Sequence, residues 1–364
     1  MWKTLRDGID LRIGLKDLIE TKLKGYRIPK DTNIFYTLGI VALFAYMIMA
    51  VTGYFLLIYY IPHTEQAFKS VQLIMTKVPY GWLVRMIHIV ASSLMLIVVS
   101  LHMISIFIMG SYKRPREVTW FLGGLLMLIT LTFCLSGYLL PWSQRSYWAT
   151  TVTTSIPTAF PVIGDYITRL LRGGEHVTGV TLSRFFALHV AFLPPIFLGI
   201  VGLHIFFIWR IGLSTPGFSK SAQHEQPWTG YRRTTYPESY PFYPNFVLKE
   251  ALMITIFFAL TFFIISFMPN FFMPEAANTP ANPFKTPVHV KPEWYFLAPY
   301  QLLRLIPNKL FGITIQILLI ILFLLWPFID RSEERNILKR PLLLVLFLVL
   351  LGLWVVLTIW GRYS

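Results

Sequence analysis

The sequence predicts an all-α polytopic membrane protein with seven transmembrane helices, four in an N-terminal bundle and three C-terminal. Three observations predict it. Hydrophobic residues make up 55% of the 364 residues and charged ones only 13%, whereas soluble domains carry roughly a quarter charged residues. Seven stretches (34–60, 86–112, 118–144, 185–209, 251–274, 310–329 and 341–361) contain no Asp, Glu, Lys or Arg. Each reaches the ~20 residues of helix that a hydrocarbon core requires. A polar, Pro- and Tyr-rich segment, 213–245, has no helical pattern and separates the first four stretches from the last three. The expected organisation is a four-helix domain over 1–212, a linker over 213–245 and a three-helix domain over 246–364.

The net charge is +15 and the pI about 9.8. In a soluble chain this would suggest nucleic acid, but the mean hydropathy of +0.60 excludes that class. The basic residues lie between the apolar stretches instead. With the N-terminus inside, the inner segments hold twenty Lys/Arg and the outer ones twelve, so the positive-inside rule puts the N-terminus in the cytoplasm. A multi-pass protein of the bacterial cytoplasmic membrane is expected. The lone cysteine, Cys134, forms no intrachain disulfide, and no CxxCH haem-attachment motif is present. The charged N-terminus lacks the apolar core of a signal peptide. Two outer connections, 145–184 and 270–309, are too long for plain turns. Long ordered loops are where sites are usually built.

Four of the eight histidines fall in transmembrane stretches, His88 and His102 on the second helix, His189 and His204 on the fourth. One such residue is most simply a core histidine bonded to a carbonyl. Two pairs point elsewhere. A spacing of 14 residues on the second helix spans about 21 Å and turns to within about 40° of the starting face, and 15 residues on the fourth span about 22 Å with about 60° of offset. Both helices run in the same direction, so His88 and His189 share an outer level and His102 and His204 an inner one. Two imidazoles on one iron, at two Fe–N bonds of about 2 Å, need this same-level pairing. Two stacked bis-histidine haems follow.

The glycines carry the same period independently. Gly39 and Gly53 on the first helix, and Gly123 and Gly137 on the third, are each 14 residues apart. Glycine in a helix interior costs about 1 kcal/mol, and here it lets a flat macrocycle approach the backbone. Helix packing would explain one pair, less readily the shared spacing. The first and third helices run opposite to the others, so Gly53 and Gly137 match the outer level, Gly39 and Gly123 the inner. With both axial positions filled by protein, iron is left for electron transfer rather than oxygen binding. Arg85, one turn before His88, is placed to pair with an outer haem propionate, and Arg116 with an inner one.

These histidines, together with PWSQ (141–144) and PEWY (292–295), resemble cytochrome b of cytochrome bc complexes. The resemblance runs from NIFYTLGI at 33–40 to the seventh helix. KRPREVTW (113–120), GYLLPWSQ (137–144) and FPVIGDYITRLLRG (160–173) look most like the chloroplast type, although there the protein is split after the fourth helix and here it is continuous. The resemblance implies the cytochrome b subunit of a quinol–cytochrome c oxidoreductase. In this reading two non-covalent b haems serve an outer quinol-oxidising site and an inner quinone-reducing site, with one electron leaving to a Rieske iron–sulfur protein and one crossing the membrane. It further implies a c-type cytochrome partner, a homodimer and a lipid surround.

Carried over by motif, Pro292, Glu293, Trp294 and Tyr295 border the outer site, Tyr300 and Arg304 lie behind them, and residues from Gly137 to Tyr147 form the opposite wall. Arg27, Asp31, Trp209 and Arg210 are candidates for the inner site. Glu293 is expected to accept a quinol proton, its pKa raised by partial desolvation. The sequence departs from the chloroplast type at Thr37, where that branch has a cysteine holding an extra haem. Cys134 lies at the wrong depth to replace it, so no covalent haem is expected. Two rival classes fit less well: a di-haem anchor of a membrane dehydrogenase has four or five helices and no PEWY, and a transporter leaves four matched histidines idle.

Overall fold

The computed structural model describes residues 25–225, 234–272, 278–287 and 290–364. The basic residues of 1–24, Arg232 and Arg233, which count toward the inner Lys/Arg total, lie outside these. Among the described residues, seven helices are long and apolar enough to cross a membrane: Ile34–Leu57, Gly81–Ile108, Glu117–Leu139, Gly179–Ile211, Phe242–Phe267, Lys309–Ile329 and Pro341–Tyr363. Each coincides with one apolar stretch. The second, fourth and fifth begin earlier than hydropathy alone suggests and take in Arg85, Arg184, Lys249 and Glu250. Backbone hydrogen bonding does not stop where hydropathy falls: Arg184 and Lys249 reach the exposed surface there, whereas Arg85 is buried within the protein.

The bundle centre is built from the first, second, fourth and fifth helices. Val41, Ala45, Tyr46, Met86, Val90, Leu94, Phe197, Phe257 and Ile264 form one buried cluster, with Tyr46 stacked on Phe197 at 4.3 Å between ring centroids. The seventh helix is almost entirely peripheral. Leu342, Val345, Leu348 and Val355 are exposed on it, as expected of a surface whose solvent is lipid rather than water.

The fourth helix contains a π-helical turn at Leu188–Phe192, immediately before Pro194 and Pro195. A proline has no N–H and disrupts the ordinary i→i−4 ladder, and a π turn absorbs one extra residue. This removes about 100° of rotation between His189 and His204. The 15-residue spacing thereby behaves like the 14-residue spacing of the second helix.

At the inner face two buried carboxylates tie the connections together. Glu225, on the connector, pairs with Arg116 at 3.1 Å and Arg335 at 3.0 Å. Asp330, after the sixth helix, pairs with Arg340 at 2.7 Å and Lys113 at 3.0 Å and accepts from the Tyr112 hydroxyl at 2.5 Å. Short strands Arg27–Pro29 and Ser239–Pro241 pair antiparallel and join the segment before the first helix to the connector. At the outer face Ser143 caps the surface helix Gln144–Ser155 in a capping box with Ser146. This turn is tied to the PEWY-containing connection, where the backbone N–H of Gln144 donates to Thr279 O at 2.8 Å and that of Ala281 to Trp142 O at 3.1 Å.

Candidate functional site

The rings of His88 and His189 approach each other with centroids 6.5 Å apart and planes inclined at 66°. Two Fe–N bonds of about 2 Å, plus roughly 1 Å from each nitrogen to its ring centre, span much the same distance. The outer polar ring atoms fix the tautomers. Thr52 Oγ1 donates to Ile48 O at 2.7 Å, so its 2.9 Å contact with His88 Nδ1 must be accepted from an Nδ1–H. Ser136 Oγ likewise donates to Thr132 O at 2.8 Å and accepts from His189 Nδ1 at 3.1 Å. Each Nε2 is then left as a bare lone pair, the form a metal ligand requires, and the hydroxyl is the orienting partner typical of such ligands.

The four spaced glycines each face one of the four histidines. A Cβ at Gly53 would lie 3.2 Å from His88, at Gly137 2.6 Å from His189, at Gly39 3.5 Å from His102 and at Gly123 3.3 Å from His204. His102 Nδ1 and His204 Nδ1 are buried without a hydrogen-bond partner among the described residues. The outer and inner pairs thus differ in what orients them.

His88, His189, Gly53, Gly137 and Arg85 line one cavity of about 480 Å³. Arg85 is only 8% exposed and has no hydrogen bond or ion pair among the described residues. A buried guanidinium without a counter-charge fits a site completed by an anionic group such as a haem propionate. Histidine pair, glycine faces and unpaired arginine together fit a haem at the outer level. At the inner level the residues fit in histidines and glycines, but Arg116 departs from its expected role. It pairs with Glu225 and donates to Gly212 O and Leu213 O, so its charge is already balanced within the protein.

The same cavity is lined by Glu293, Tyr295, Tyr138, Arg145 and Cys134. Burial pushes the Glu293 carboxyl up from its ordinary range, against the opposing pull of the Arg145 charge and the Tyr138 hydroxyl. Burial also raises the Tyr295 phenol well above its usual value, and the neighbouring Cys134 and Glu293 add to it. Pro292 and Trp294 flank Glu293 in sequence but are not among the cavity-lining residues. The indole N–H of Trp294 is buried without a partner among the described residues.

Tyr147 also lies off the cavity, its hydroxyl donating to Val177 O at 3.3 Å. The Arg304 guanidinium sits over the Tyr300 ring at 5.8 Å and bonds Ser364 Oγ at 2.7 Å, tying this pair to the end of the seventh helix. Of the inner candidates, Arg27 bonds Ser239 Oγ and O at 3.1 and 2.7 Å. Asp31 accepts from Ser219, which holds its carboxyl below the usual range. Trp209 and Arg210 are exposed at the end of the fourth helix. The structure does not gather these into one pocket with His102 and His204.

Sequence reasoning missed Thr52 and Ser136, and took Arg145 only as part of the Gly137–Tyr147 wall. The signals were local: a hydroxyl residue precedes each outer glycine, in Thr52–Gly53 and Ser136–Gly137, whereas leucine precedes each inner one, and Arg145 directly follows PWSQ.

Comparison with known proteins places these features in context. A family model described as cytochrome b/b6/petB matches residues 23–212, and one described as cytochrome b (C-terminal)/b6/petD matches 280–364. A cytochrome b of Rhodospirillum rubrum is 37% identical over 94% of this chain and 82% of its own length. One from Acanthamoeba castellanii is 38% identical over 88% of this chain and 80% of its own. A chain of a solved hyperthermophilic respiratory Complex III superposes with a TM-score of 0.89 at 36% identity, covering 98% of this chain and 91% of that one.

Proposed function

Since this chain belongs to the cytochrome b family, we propose that it is the quinol-oxidising, electron-carrying core subunit of a bc1-type Complex III. The observation that carries this reading is a single cavity lined by both the His88/His189 pair and Glu293. An electron acceptor and a proton acceptor side by side are what quinol oxidation needs, because each quinol gives up two electrons and two protons.

In this reading His88 with His189, and His102 with His204, would hold two non-covalent b haems, and Gly39, Gly53, Gly123 and Gly137 would give them access to the backbone. The Thr52 and Ser136 hydroxyls would keep the outer rings in the ligating tautomer, and Arg85 would supply charge to a propionate. When bound, the two haems supply a path for one electron across the membrane, dividing a charge movement worth about 2.3 kcal/mol per 100 mV into short hops.

Glu293 takes a quinol proton. Its raised pKa brings it toward the working range of a general base, and it acts only when ionised, so the rate falls as pH drops through that pKa. Tyr295 and Tyr138 shape the apolar wall against which the quinol ring rests. The second electron leaves to a Rieske iron–sulfur protein and on to a c-type cytochrome. The protein works as a homodimer in a bacterial cytoplasmic membrane, surrounded by lipid and with its N-terminus in the cytoplasm, and reduces quinone at the inner side. The matches of KRPREVTW and GYLLPWSQ favour descent near the chloroplast branch.

Glu293→Gln tests the reading, since it keeps the side chain's size and hydrogen bonding but cannot take the proton. Quinol oxidation by the isolated complex is expected to fall by roughly 10²- to 10⁴-fold, with both haem spectra retained and quinol reduction of the inner haem intact. A Gln variant turning over at the wild-type rate at every pH would make Glu293 merely structural.

A further inference from the structure

Arg145 enters the outer cavity from the wall opposite the PEWY motif. It stands in the first turn of the Gln144–Ser155 helix, whose start is fixed by the Ser143 cap and by the bonds from Gln144 and Ala281 across to the opposing connection. From there its Nη2 comes to 3.4 Å from Glu293 Oε1, with both side chains largely buried, at 16% and 20% exposure. The guanidinium also lies 5.8 Å from the centre of the Tyr138 ring, which fixes its direction. The contact is longer than the 2.7–2.9 Å typical of a charge-assisted hydrogen bond. It holds the carboxylate by charge without locking it into a fork, so Glu293 remains free to meet a quinol hydroxyl.

We propose that Arg145 is a positioning residue for the proton acceptor, keeping Glu293 ionised and at the quinol-facing side of the cavity under conditions where burial alone would leave it protonated. The proposal rests on the reading of Glu293 as the base for quinol oxidation. The charged and titratable groups acting on Glu293 come from four elements: Arg145 from the surface helix, Tyr138 and Cys134 from the third helix, Tyr295 from its own segment and Arg362 from the end of the seventh helix. Of these only Arg145 and Arg362 carry positive charge, and only Arg145 forms an ion pair with the carboxylate. Neutral Tyr138, Tyr295 and Cys134 cannot replace it. Removing the Arg145 charge therefore leaves burial less opposed and moves Glu293 further toward its protonated form, and the acidic limb of the pH–rate profile shifts to higher pH.

The test compares Arg145→Met, Arg145→Lys and Glu293→Gln in the assembled complex. Arg145→Met is expected to displace the acidic limb of kcat/KM for quinol oxidation upward by about one pH unit or more, a tenfold lower rate on that limb, with the alkaline rate and both haem spectra little changed. Arg145→Lys, which keeps the charge, should restore most of the limb. An infrared titration gives a readout independent of turnover: the protonated-carboxyl band that is absent from Glu293→Gln should titrate at higher pH in Arg145→Met. If Glu293→Gln itself turns over normally, the reading of Glu293 as base falls, and this proposal with it. If Glu293→Gln is crippled while Arg145→Met keeps both the wild-type limb and the wild-type band, Arg145 is only a wall residue and the proposal alone is overturned.

Discussion

Gly137 gives the sharpest quantitative test of the proposed outer haem site. A Cβ built there would lie 2.6 Å from His189 Cε1 and 3.1 Å from Nδ1, whereas carbon atoms pack at about 3.5–4.0 Å. Gly137→Ala therefore asks the His189 ring to retreat by about 0.9 Å or more. The ring is anchored at Nδ1 by Ser136, and a ligating Nε2 would hold it at about 2 Å from iron, so the retreat is nearly half a bond length. Overpacking of this kind costs about 1–3 kcal/mol, and every 1.4 kcal/mol is tenfold in an equilibrium. Retention of the outer haem should fall by roughly 5- to 150-fold. Gly39→Ala meets His102 only at 3.5 Å, an ordinary contact, and should displace its histidine ring much less. Reduced-minus-oxidised spectra recorded through a redox titration of the isolated complex resolve the two haems. Wild-type content and midpoint of the outer haem in Gly137→Ala, or equal loss of both haems, would refute the argument.

Two further outcomes follow from other parts of the molecule. Asp330 is 4% exposed and meets Arg340, Lys113 and Tyr112; burial alone would raise its pKa, but the bonds from Arg340, Tyr112 and Lys113 hold it well below the usual carboxylate range. A depressed carboxylate contributes stability that is complete above its unfolded pKa of about 3.9 and is lost as pH falls toward the folded value. Asp330→Asn should lower stability by about 1–3 kcal/mol at neutral pH, because it leaves buried Lys113 and half-buried Arg340 without their counter-charge; a thermal melt of the complex that matches wild type would contradict this. Denaturing electrophoresis with haem staining should show no stained band at the mass of this chain, because Thr37 cannot form a thioether, and a stained band would overturn that expectation.

Much of the fold was legible because a membrane leaves little choice. Backbone groups must be satisfied within each span, so seven uncharged stretches translate directly into seven helices. Their ends were not legible from hydropathy, since the helices continue past it through Arg85, Arg184 and Glu250. The face shared by His88 and His102 follows from simple helical rotation. That of His189 and His204 follows from the same rotation to within about 60°, and the π turn at Leu188–Phe192, which no periodicity argument supplies, brings the two closer in register. The Arg116–Glu225 pair joins residues 109 positions apart, and no pattern along the chain announces such a partner. Arg145 and Glu293 are similarly distant, and only the bonds between the Gln144 turn and the opposing loop bring them together. The Thr52 and Ser136 hydroxyls were visible beside their glycines, but their use depends on which carbonyl takes their proton.

The central claim is that four histidines hold two separate haems at two levels of the membrane, and His204 tests it most directly. Replacement of His204 by Leu in the purified complex, followed by haem extraction and redox-resolved spectra, should yield one b haem per chain in place of two. The spectrum and midpoint of the remaining haem should be those of the outer site, and His88→Leu should give the converse. Loss of both haems to the same extent in each variant, or retention of both, would contradict two independently ligated sites.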